Sequence, residues 1–278
     1  MTLPLRTSVW SVPLLVAGIL GTGMILSVER YVIYAPIRTI EATPESEGLA
    51  YEDVWFTASD GVKLHGWLVP APGARLTLLW FHGNAGNISH RVNNIKYLHR
   101  LLGINVFIFD YRGYGRSEGG MFNLSEQATY RDAEGAVAHL QSRRDLANTK
   151  LVYFGRSLGA AVAVDIARRQ PPAALILETA FTCIRDMARI VVPYWPFPGL
   201  LRTKYDSLRK IREIRVPLLI LHGDHDELVP YEQARRLFDV ANEPKTFYTI
   251  HGAHHNDTYI VGGEPYFEAW ARFLRALE

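Results

Sequence analysis

The chain has almost no cysteine and no excess of either charge. Its 278 residues include a single cysteine, Cys183, which excludes an intramolecular disulfide framework and a zinc site built from cysteines. Thirty basic residues against 28 acidic residues leave a formal net charge of +2, whereas a nucleic-acid-binding protein needs a concentrated excess of Lys and Arg. The composition, 48% hydrophobic and 21% charged, is that of an ordinary globular protein and excludes a disordered or fibrous chain.

One long segment near the amino terminus lacks charge altogether. Residues 7–28 lie between Arg6 and Glu29, and about 20 apolar residues suffice to cross a hydrocarbon layer of about 30 Å. A cleaved signal peptide has a shorter apolar region of about 7–15 residues, and the nearest approach to its small-x-small site, residues 21–23, is poor. A buried soluble helix is the third interpretation, but a polar face is missing. The sequence therefore predicts a single-pass membrane anchor through residues 8–28, with export after signal cleavage as the alternative.

The sequence does not set the side of the membrane, because basic residues flank the apolar segment at both ends. The segment that follows contains proline, glutamate, serine and glycine, a composition typical of a juxtamembrane linker. We therefore divide the chain into an anchor unit over residues 1–30, a linker over residues 31–50 and a folded domain over residues 51–278.

From residue 51 onward, short apolar runs alternate with longer segments of helical spacing. The runs typical of strands cover residues 64–69, 76–81, 105–110, 151–154, 174–177, 217–221 and 246–250, and the helical segments cover residues 87–101, 124–141, 158–169, 231–241 and 265–277. Such alternation predicts one α/β domain, with a mostly parallel sheet covered by helices on both faces. The first of these strands is a candidate for an antiparallel position.

An insertion over about residues 179–215 interrupts this alternation. Its residues 193–199 read Pro-Tyr-Trp-Pro-Phe-Pro-Gly, in which the prolines oppose a regular helix and the aromatic side chains need a surface to cover. We interpret the insertion as a short cap over a binding cleft, with Trp195 as a candidate substrate contact. The alternative is an aromatic loop packed on the outside of the sheet.

The strongest chemical signal is Gly-Arg-Ser-Leu-Gly at residues 155–159, between the strand 151–154 and the helix 158–169. In this position G-x-S-x-G permits a sharp turn that exposes the hydroxyl of Ser157 at the strand end, next to the free N–H groups of a helix terminus. A hydroxyl is a weak nucleophile until a base takes its proton, so Ser157 requires a histidine and a carboxylate that orients it. The alternative is a glycine-rich turn with a capping serine.

Two later segments offer the acid and the base. Residues 222–230, after the strand 217–221, read His-Gly-Asp-His-Asp-Glu-Leu-Val-Pro and contain three carboxylates. Residues 251–257 read His-Gly-Ala-His-His-Asn-Asp, and the loop after the last strand is where a triad needs its histidine. A metal site is disfavoured, because no pair of histidines with a glutamate shows the helical spacing of metal ligands.

The loop at residues 82–87, His-Gly-Asn-Ala-Gly-Asn, follows the strand 76–81 and suits an oxyanion site. Such a site needs backbone N–H groups aimed where negative charge develops, and removing one donor costs about 3 kcal/mol of barrier stabilisation. We predict that the backbone amides of Asn84 and Leu158 are the two donors.

A further loop at residues 110–117 reads Asp-Tyr-Arg-Gly-Tyr-Gly-Arg-Ser and lacks the glycine spacing of a dinucleotide fingerprint. We interpret it as a structural loop beside the active site. Tyr111 and Tyr114 are candidate substrate contacts that line the cleft.

In this order, the motifs resemble the α/β-hydrolase superfamily over nearly all of residues 51–278. His-Gly-Asn-Ala-Gly, Asp-Tyr-Arg-Gly-Tyr-Gly, Gly-Arg-Ser-Leu-Gly-Ala-Ala, Leu-Glu-Thr-Ala-Phe-Thr, His-Gly-Asp-His-Asp and His-His-Asn-Asp are similar to a narrower branch of membrane-associated serine hydrolases, which includes eukaryotic protein depalmitoylases and many bacterial members. The resemblance implies an eight-stranded sheet and hydrolysis of an ester or thioester without a cofactor. Two departures are Thr179-Ala180 in place of the common Ser-Pro and His254 in place of a usual glycine. The cysteine-rich terminus of the depalmitoylases is absent.

The resemblance also selects among the candidate acids and bases. Asp226 falls in a turn similar to the family's G-x-x-D-x-x-V-P, whereas Asp224 is expected to form the turn and Glu227 to face solvent. His255, which precedes Asn-Asp, is the predicted base, and His254 is its rival.

The predicted function is hydrolysis of a carboxylic ester through an acyl-enzyme on Ser157, with Asp226 and His255 completing the triad. The short aromatic cap favours a short or medium acyl group, a thioester is a second possibility, and an amphiphilic substrate suits a membrane anchor. The alternative is a binding or interaction protein that retains the α/β-hydrolase fold without useful turnover.

Overall fold

The computed structural model of the chain describes residues 29–191, 194 and 201–277. The predicted anchor over residues 8–28 and the candidate substrate contact Trp195 lie outside this part of the chain. Over the residues that are described, no helix has both the length and the apolar character needed to cross a membrane.

Strands and helices alternate along the described chain. The strands are β1 (Ala35–Pro36), β2 (Glu52–Thr57), β3 (Lys63–Val69), β4 (Leu76–Phe81), β5 (Ala85–Gly86), β6 (Asn105–Asp110), β7 (Lys150–Arg156), β8 (Ala174–Glu178), β9 (Leu218–Gly223) and β10 (Lys245–Ile250). The helices are α1 (residues 29–33), α2 (Val92–Leu102), α3 (Glu126–Ser142), α4 (Leu158–Arg169), α5 (Ile184–Val191), α6 (Ser207–Lys210), α7 (Tyr231–Val240) and α8 (Thr258–Arg275). Short 3-10 helices lie at Pro44–Glu47, Ile88–Arg91, Met121–Asn123, Arg144–Leu146 and Ile211–Glu213.

Within the described ranges, eight of these strands form one sheet in the order β10-β9-β8-β7-β4-β6-β3-β2. Strand β3 runs antiparallel to both of its neighbours, and the remaining pairs are parallel. The strands β4, β6, β8 and β9 are buried along their whole length, as expected for parallel strands covered on both faces. The predictions of a mostly parallel sheet and of an antiparallel strand at 64–69 are therefore confirmed.

Alternate residues of β4 enter two separate hydrophobic cores. Leu79 and Phe81 pack in the core that contains α3 and α4, whereas Leu78 and Trp80 pack in the core that contains α2 and α8. This alternation follows from the two-residue period of a strand. Because the parallel strands share one direction, the loops after β4, β7, β9 and β10 all meet at the same edge of the sheet.

Several elements differ from the sequence prediction. Strand β2 was not predicted, because only its alternate residues Val54 and Phe56 are buried and the run is short. Helix α5 lies in the cap insertion, before the prolines at residues 193–199, and the sequence did not predict it. Helix α8 begins at Thr258 rather than at residue 265, with an interruption at Gly263, whose φ is 51°.

The segment predicted to be a linker, residues 31–50, packs on the domain instead. Ile33 and Tyr34 are buried, and β1 pairs in parallel with β5 through Ala35 opposite Ala85 and Pro36 opposite Gly86. The apolar residues 33–36 make these contacts, whereas the polar composition that suggested a linker lies later, at residues 44–48.

Candidate active site

Ser157 lies at the sharp turn between β7 and α4. Its φ of 54° and ψ of −119° are a strained conformation for a residue with a side chain. The backbone N–H of Ser157 donates to the carbonyl of Glu178 over 2.9 Å, which fixes the turn to the end of β8. A Cβ added at Gly155 would lie 2.5 Å from Cα of Ala160, and one added at Gly159 would lie 1.9 Å from the Phe81 carbonyl oxygen. Glycine is therefore required on both sides of the serine.

His255 connects this serine to a carboxylate. Its Nε2 lies 3.1 Å from the Oγ of Ser157, and its Nδ1 lies 2.8 Å from Oδ2 of Asp226. An ionised carboxylate can only accept, so Nδ1 carries the proton in the neutral ring and Nε2 is left to accept from the serine hydroxyl. The geometry joins the three residues into one hydrogen-bonded chain, in which Ser157 can pass its proton to His255 and Asp226 orients the ring.

Asp226 is held in its charged form by its surroundings. Burial alone would raise its pKa, but hydrogen bonds from His222 and His255 outweigh that effect and hold the pKa of Asp226 well below its usual range. Its other oxygen accepts from the backbone N–H groups of Leu228 and Val229 over 3.0 and 2.8 Å. A fixed carboxylate of this kind can orient an imidazole and stabilise its protonated form.

The rival acids and bases point elsewhere. Asp224 accepts from the backbone N–H of Gly252 over 2.7 Å and contacts the ring of His251, so it closes the turn between two loops. Glu227 pairs with His254 over 3.0 Å, and both side chains are exposed. The structure thus brings Ser157 together with His255 and Asp226, the residues selected by the sequence.

A buried ion pair, which the sequence did not reveal, supports the histidine. The guanidinium of Arg156 donates to the backbone carbonyl of His255 over 2.7 Å, and its Nε lies 3.0 Å from a carboxylate oxygen of Glu178. Glu178 is fully buried and also accepts from Thr258 over 2.8 Å and from Tyr266 over 2.6 Å. The sequence indicates this pair only by a charged residue at the end of each of two buried strands, Arg156 in β7 and Glu178 in β8.

A second residue missed by the sequence analysis is His222, at the end of β9. Its Nε2 donates to the backbone carbonyl of Val229 over 2.8 Å and lies 3.3 Å from Asp226. His222 therefore closes the turn that presents the carboxylate and adds a favourable contact to its charge.

The predicted oxyanion loop lies directly against the serine. A Cβ added at Gly83 would lie 3.5 Å from the Cβ of Ser157. The amide of Leu158 is the first of α4, where N–H groups have no partner within the helix and the helix dipole favours negative charge. The side chain of Asn84 donates to the Ile33 carbonyl over 3.0 Å, so it fixes the loop and leaves the backbone amide as the candidate donor.

The placement of Tyr111 and Tyr114 corrects the sequence interpretation. Only 1% and 0% of their surfaces are exposed, so neither lines an open cleft. Their rings pack on His82, with centroids 4.6 and 5.3 Å away, and their hydroxyls donate to the carbonyls of His82 and Asn84 over 3.3 and 2.7 Å. The two tyrosines support the oxyanion loop from behind.

His82 organises this loop and does not serve as a second base. Its Nδ1 lies 2.7 Å from the carbonyl oxygen of Gly83, and burial lowers its pKa to about 3.

Among residues 29–191, 194 and 201–277, no group of three or more His, Cys, Asp or Glu side chains has the arrangement of a metal site.

Comparison with known proteins identifies relatives along most of the chain. A family model described as serine aminopeptidase, S33, matches residues 72–196 and 196–258. The α/β-hydrolase domain-containing protein WAV2 of Arabidopsis thaliana is 36% identical, over 91% of this chain and 90% of the relative. Protein bem46 of Schizosaccharomyces pombe is also 36% identical, over 84% of this chain and 79% of the relative. The fold is similar to that of the Pyrococcus furiosus esterase Pf2001, with a TM-score of 0.76 and 23% identity over 88% of this chain and 98% of that one.

Proposed function

Because the chain belongs to the serine aminopeptidase S33 family of α/β-hydrolases, we propose that it is a serine hydrolase that cleaves carboxylic esters through an acyl-enzyme on Ser157. The observation that carries the proposal is the unbroken path from Ser157 through His255 to Asp226, with contacts of 3.1 and 2.8 Å. The strained turn at the serine and the lowered pKa of Asp226 support it, because both are features of an activated nucleophile.

In the acylation step, His255 takes the proton of the Ser157 hydroxyl as the oxygen attacks the acyl carbonyl carbon. The backbone amides of Asn84 and Leu158 bind the oxyanion of the tetrahedral intermediate. His255 then gives the proton to the leaving alkoxide, and the alcohol departs. In the second step, His255 deprotonates a water molecule that attacks the acyl-enzyme, which releases the carboxylic acid and restores the serine.

The proposed substrate is an ester with a short or medium acyl group, and a thioester is the second choice. The described parts of the cap support this proposal, because α5 and α6 are short and leave little surface to enclose a long chain. The esterase among the structurally similar proteins agrees with an ester. An amide or peptide, the substrate class in the family's description, is the comparison arm of the test.

We further propose that residues 8–28 anchor the protein in a membrane and that its substrate is amphiphilic. The uncharged length of the segment supports this proposal. Fractionation of the full chain after carbonate extraction, together with the mass of the mature protein, separates an anchor from an exported form that has lost the segment.

A panel of p-nitrophenyl esters of graded acyl length, a thioester and an aminoacyl amide tests the function. We expect kcat/KM to be highest for a short or medium ester and to vanish in Ser157→Ala. A folded wild-type protein that hydrolyses none of the panel would favour the alternative, a binding or interaction protein on the same fold.

A further inference from the structure

Residues 29–39, which we call the strap, run from the end of the predicted anchor to the oxyanion loop. The strap contains α1 and β1, and it spans the end of the predicted anchor unit (residues 1–30) and the beginning of the predicted linker (residues 31–50). Glu29 and Tyr34 are buried, although the segment precedes the first strand of the central sheet. Its contacts are made with two elements that flank the candidate active site.

The first set of contacts fixes the residue that carries the predicted oxyanion donor. The side-chain amide of Asn84 donates to the Ile33 carbonyl over 3.0 Å, and the backbone N–H of Ala35 donates to the Asn84 carbonyl over 3.0 Å. The same carbonyl accepts from the Tyr114 hydroxyl over 2.7 Å. The peptide groups around Asn84 are thus held by the strap on one side and by a buried tyrosine on the other.

The strap also holds the rest of the oxyanion loop. Asn87 donates from its side-chain amide to the carbonyls of Ile37 and Thr39, over 2.9 and 2.6 Å. The backbone N–H of Ile37 donates to the Gly86 carbonyl over 3.1 Å. The loop contains only the two-residue strand β5, and that strand is paired with the strap. Its position therefore depends on contacts with a segment outside the central sheet.

The second set of contacts holds residues 202–205 of the cap insertion. The Glu29 carboxylate accepts from the backbone N–H groups of Arg202 and Thr203, over 2.9 and 3.2 Å, and from the Thr203 hydroxyl over 2.9 Å. The Tyr34 hydroxyl lies 2.9 Å from that of Tyr205, which is fully buried. One short segment therefore contacts both the oxyanion loop and the cap.

We propose that the strap is a positioning element of the active site. It sets the place of the Asn84 amide beside Ser157, and with its other end it holds the cap at residues 202–205. This inference rests on the proposed hydrolase function. The physical reason is that oxyanion donors act only within about 2.7–3.1 Å of the developing charge, and a misplacement of about 1 Å can cost about a hundredfold in rate.

The test uses the full-length protein and separates the two sets of strap contacts, which we call the oxyanion arm (contacts with Asn84 and its loop) and the cap arm (contacts with residues 202–205). Ala35→Pro removes the N–H that donates to the Asn84 carbonyl and adds little volume. We expect kcat to fall about tenfold or more with KM within about twofold, because the lost contact matters only in the transition state. The affinity for a boronic acid, which mimics the tetrahedral intermediate, should fall in parallel. Asn84→Ala removes the other contact and should show the same pattern, whether or not Ala35→Pro folds.

The cap arm is tested by Glu29→Gln, which keeps the shape of the side chain and removes an acceptor from the Arg202 and Thr203 amides. We expect KM to rise about threefold or more with little change in kcat, because the cap is proposed to contact the substrate and not the oxyanion. Arg143→Ala is the control, because its side chain lies outside the strap and pairs with Glu52 and Asp145 at the surface, over 2.8 and 2.7 Å. Wild-type kinetics in folded Ala35→Pro and Asn84→Ala would overturn the proposal.

Hydrogen exchange gives a readout that does not need activity. In Ala35→Pro and Asn84→Ala, exchange of the backbone amides in residues 82–91 should be at least about tenfold faster than in wild type and in Arg143→Ala. Unchanged exchange in both variants would overturn the positioning role. If the wild-type protein hydrolyses no substrate, the proposed function fails, and the exchange comparison alone decides whether the strap holds the loop.

Discussion

The two halves of the candidate site are supported in different ways. On the histidine side, His255 is braced by Arg156 and Glu178, a buried charge pair at the ends of neighbouring strands. On the oxyanion side, Asn84 is held by backbone contacts from the strap and by the hydroxyl of Tyr114. The histidine side therefore depends on charges within the folded core, and the oxyanion side on a peripheral segment.

The carboxylates beneath the two halves show the same contrast. Burial raises the pKa of Asp110, below the oxyanion loop, to about 8, so this group is mainly neutral at pH 7. Burial acts on Asp226 as well, but hydrogen bonds from His222 and His255 hold its pKa well below the usual range. A negative charge is therefore favoured on Asp226, beside His255, and disfavoured on Asp110, whose Oδ1 accepts from the backbone N–H of Ile88 over 3.0 Å. The comparison teaches that the two halves should respond differently to mutation and to pH.

The largest expected effect is on the histidine side. We expect His255→Ala to lower kcat for p-nitrophenyl butyrate by about 10⁴-fold or more, because the serine loses its base. His254→Ala should stay within about threefold of wild type, since that ring pairs with Glu227 at the surface. Steady-state kinetics decide which histidine is the base. A larger loss of kcat in His254→Ala than in His255→Ala would make His254 the base.

A smaller effect is expected when the buried pair of Arg156 and Glu178, which supports His255, is broken. Arg156→Met should lower kcat about 10- to 100-fold and destabilise the protein by about 3–5 kcal/mol, because Glu178 is left charged, buried and unpaired. Adding Glu178→Gln should restore most of the stability measured by urea unfolding but not kcat. Arg112→Met, which breaks the buried pair with Asp132, controls for lost stability alone. If the double variant Arg156→Met/Glu178→Gln has the kcat of the wild type, the pair of Arg156 and Glu178 only stabilises the fold.

Removing one support of the oxyanion loop should have a still smaller effect. Tyr114→Phe deletes the hydroxyl that donates to the Asn84 carbonyl and keeps the ring. We expect kcat to fall about two- to tenfold and the free energy of unfolding to fall by about 1 kcal/mol. Tyr153→Phe, at another buried ring that packs on Phe81, is the control. Equal kinetics in the two variants would contradict a role for Tyr114 in holding the loop.

The last expected effect is on stability rather than on rate: a pH dependence with opposite signs in the two halves. The pKa of Asp110 is raised on folding, so its contribution is present below an unfolded pKa of about 3.9 and is lost as pH rises towards 8. The pKa of Asp226 is lowered, so its contribution is present above about pH 3.9 and is lost as pH falls further. Urea unfolding of wild type, Asp110→Asn and Asp226→Asn across this range measures both, with a limit of about 1.4 kcal/mol per pH unit for each proton. If the contributions of Asp110 and Asp226 to the free energy of unfolding change with pH in the same direction, the proposed difference between the two halves is wrong.

Much of the central fold could be predicted because parallel strands require continuous apolar runs. Strands β4 and β6 have the predicted bounds, and α4 begins directly after the serine as expected. The convergence of loops at one edge of a parallel sheet predicted which segments would meet, and the resemblance to the α/β-hydrolase superfamily selected Asp226 and His255 within them. Strand β2 escaped prediction, since an edge strand with one solvated face carries few buried residues.

The supports of the site could not be read from the sequence. Arg156 and Glu178 are ordinary charged residues until the register of β7 and β8 places them opposite each other. The strap lies between the uncharged segment and the domain, and its contacts with the oxyanion loop use its backbone carbonyls and amides, which every residue type has. Tyr111 and Tyr114 were assigned to the cleft because aromatic residues beside a site often contact substrate, whereas here their rings pack on the buried His82.

The most direct test of the proposed mechanism is the site of covalent modification by a fluorophosphonate. The wild-type protein is incubated with the probe, digested, and analysed by tandem mass spectrometry. The triad geometry predicts a single phosphonyl adduct on Ser157, formed slowly in His255→Ala and absent in Ser157→Ala. A folded wild-type protein that gives no adduct, or one that reacts at another residue, would contradict the assignment of Ser157 as the nucleophile.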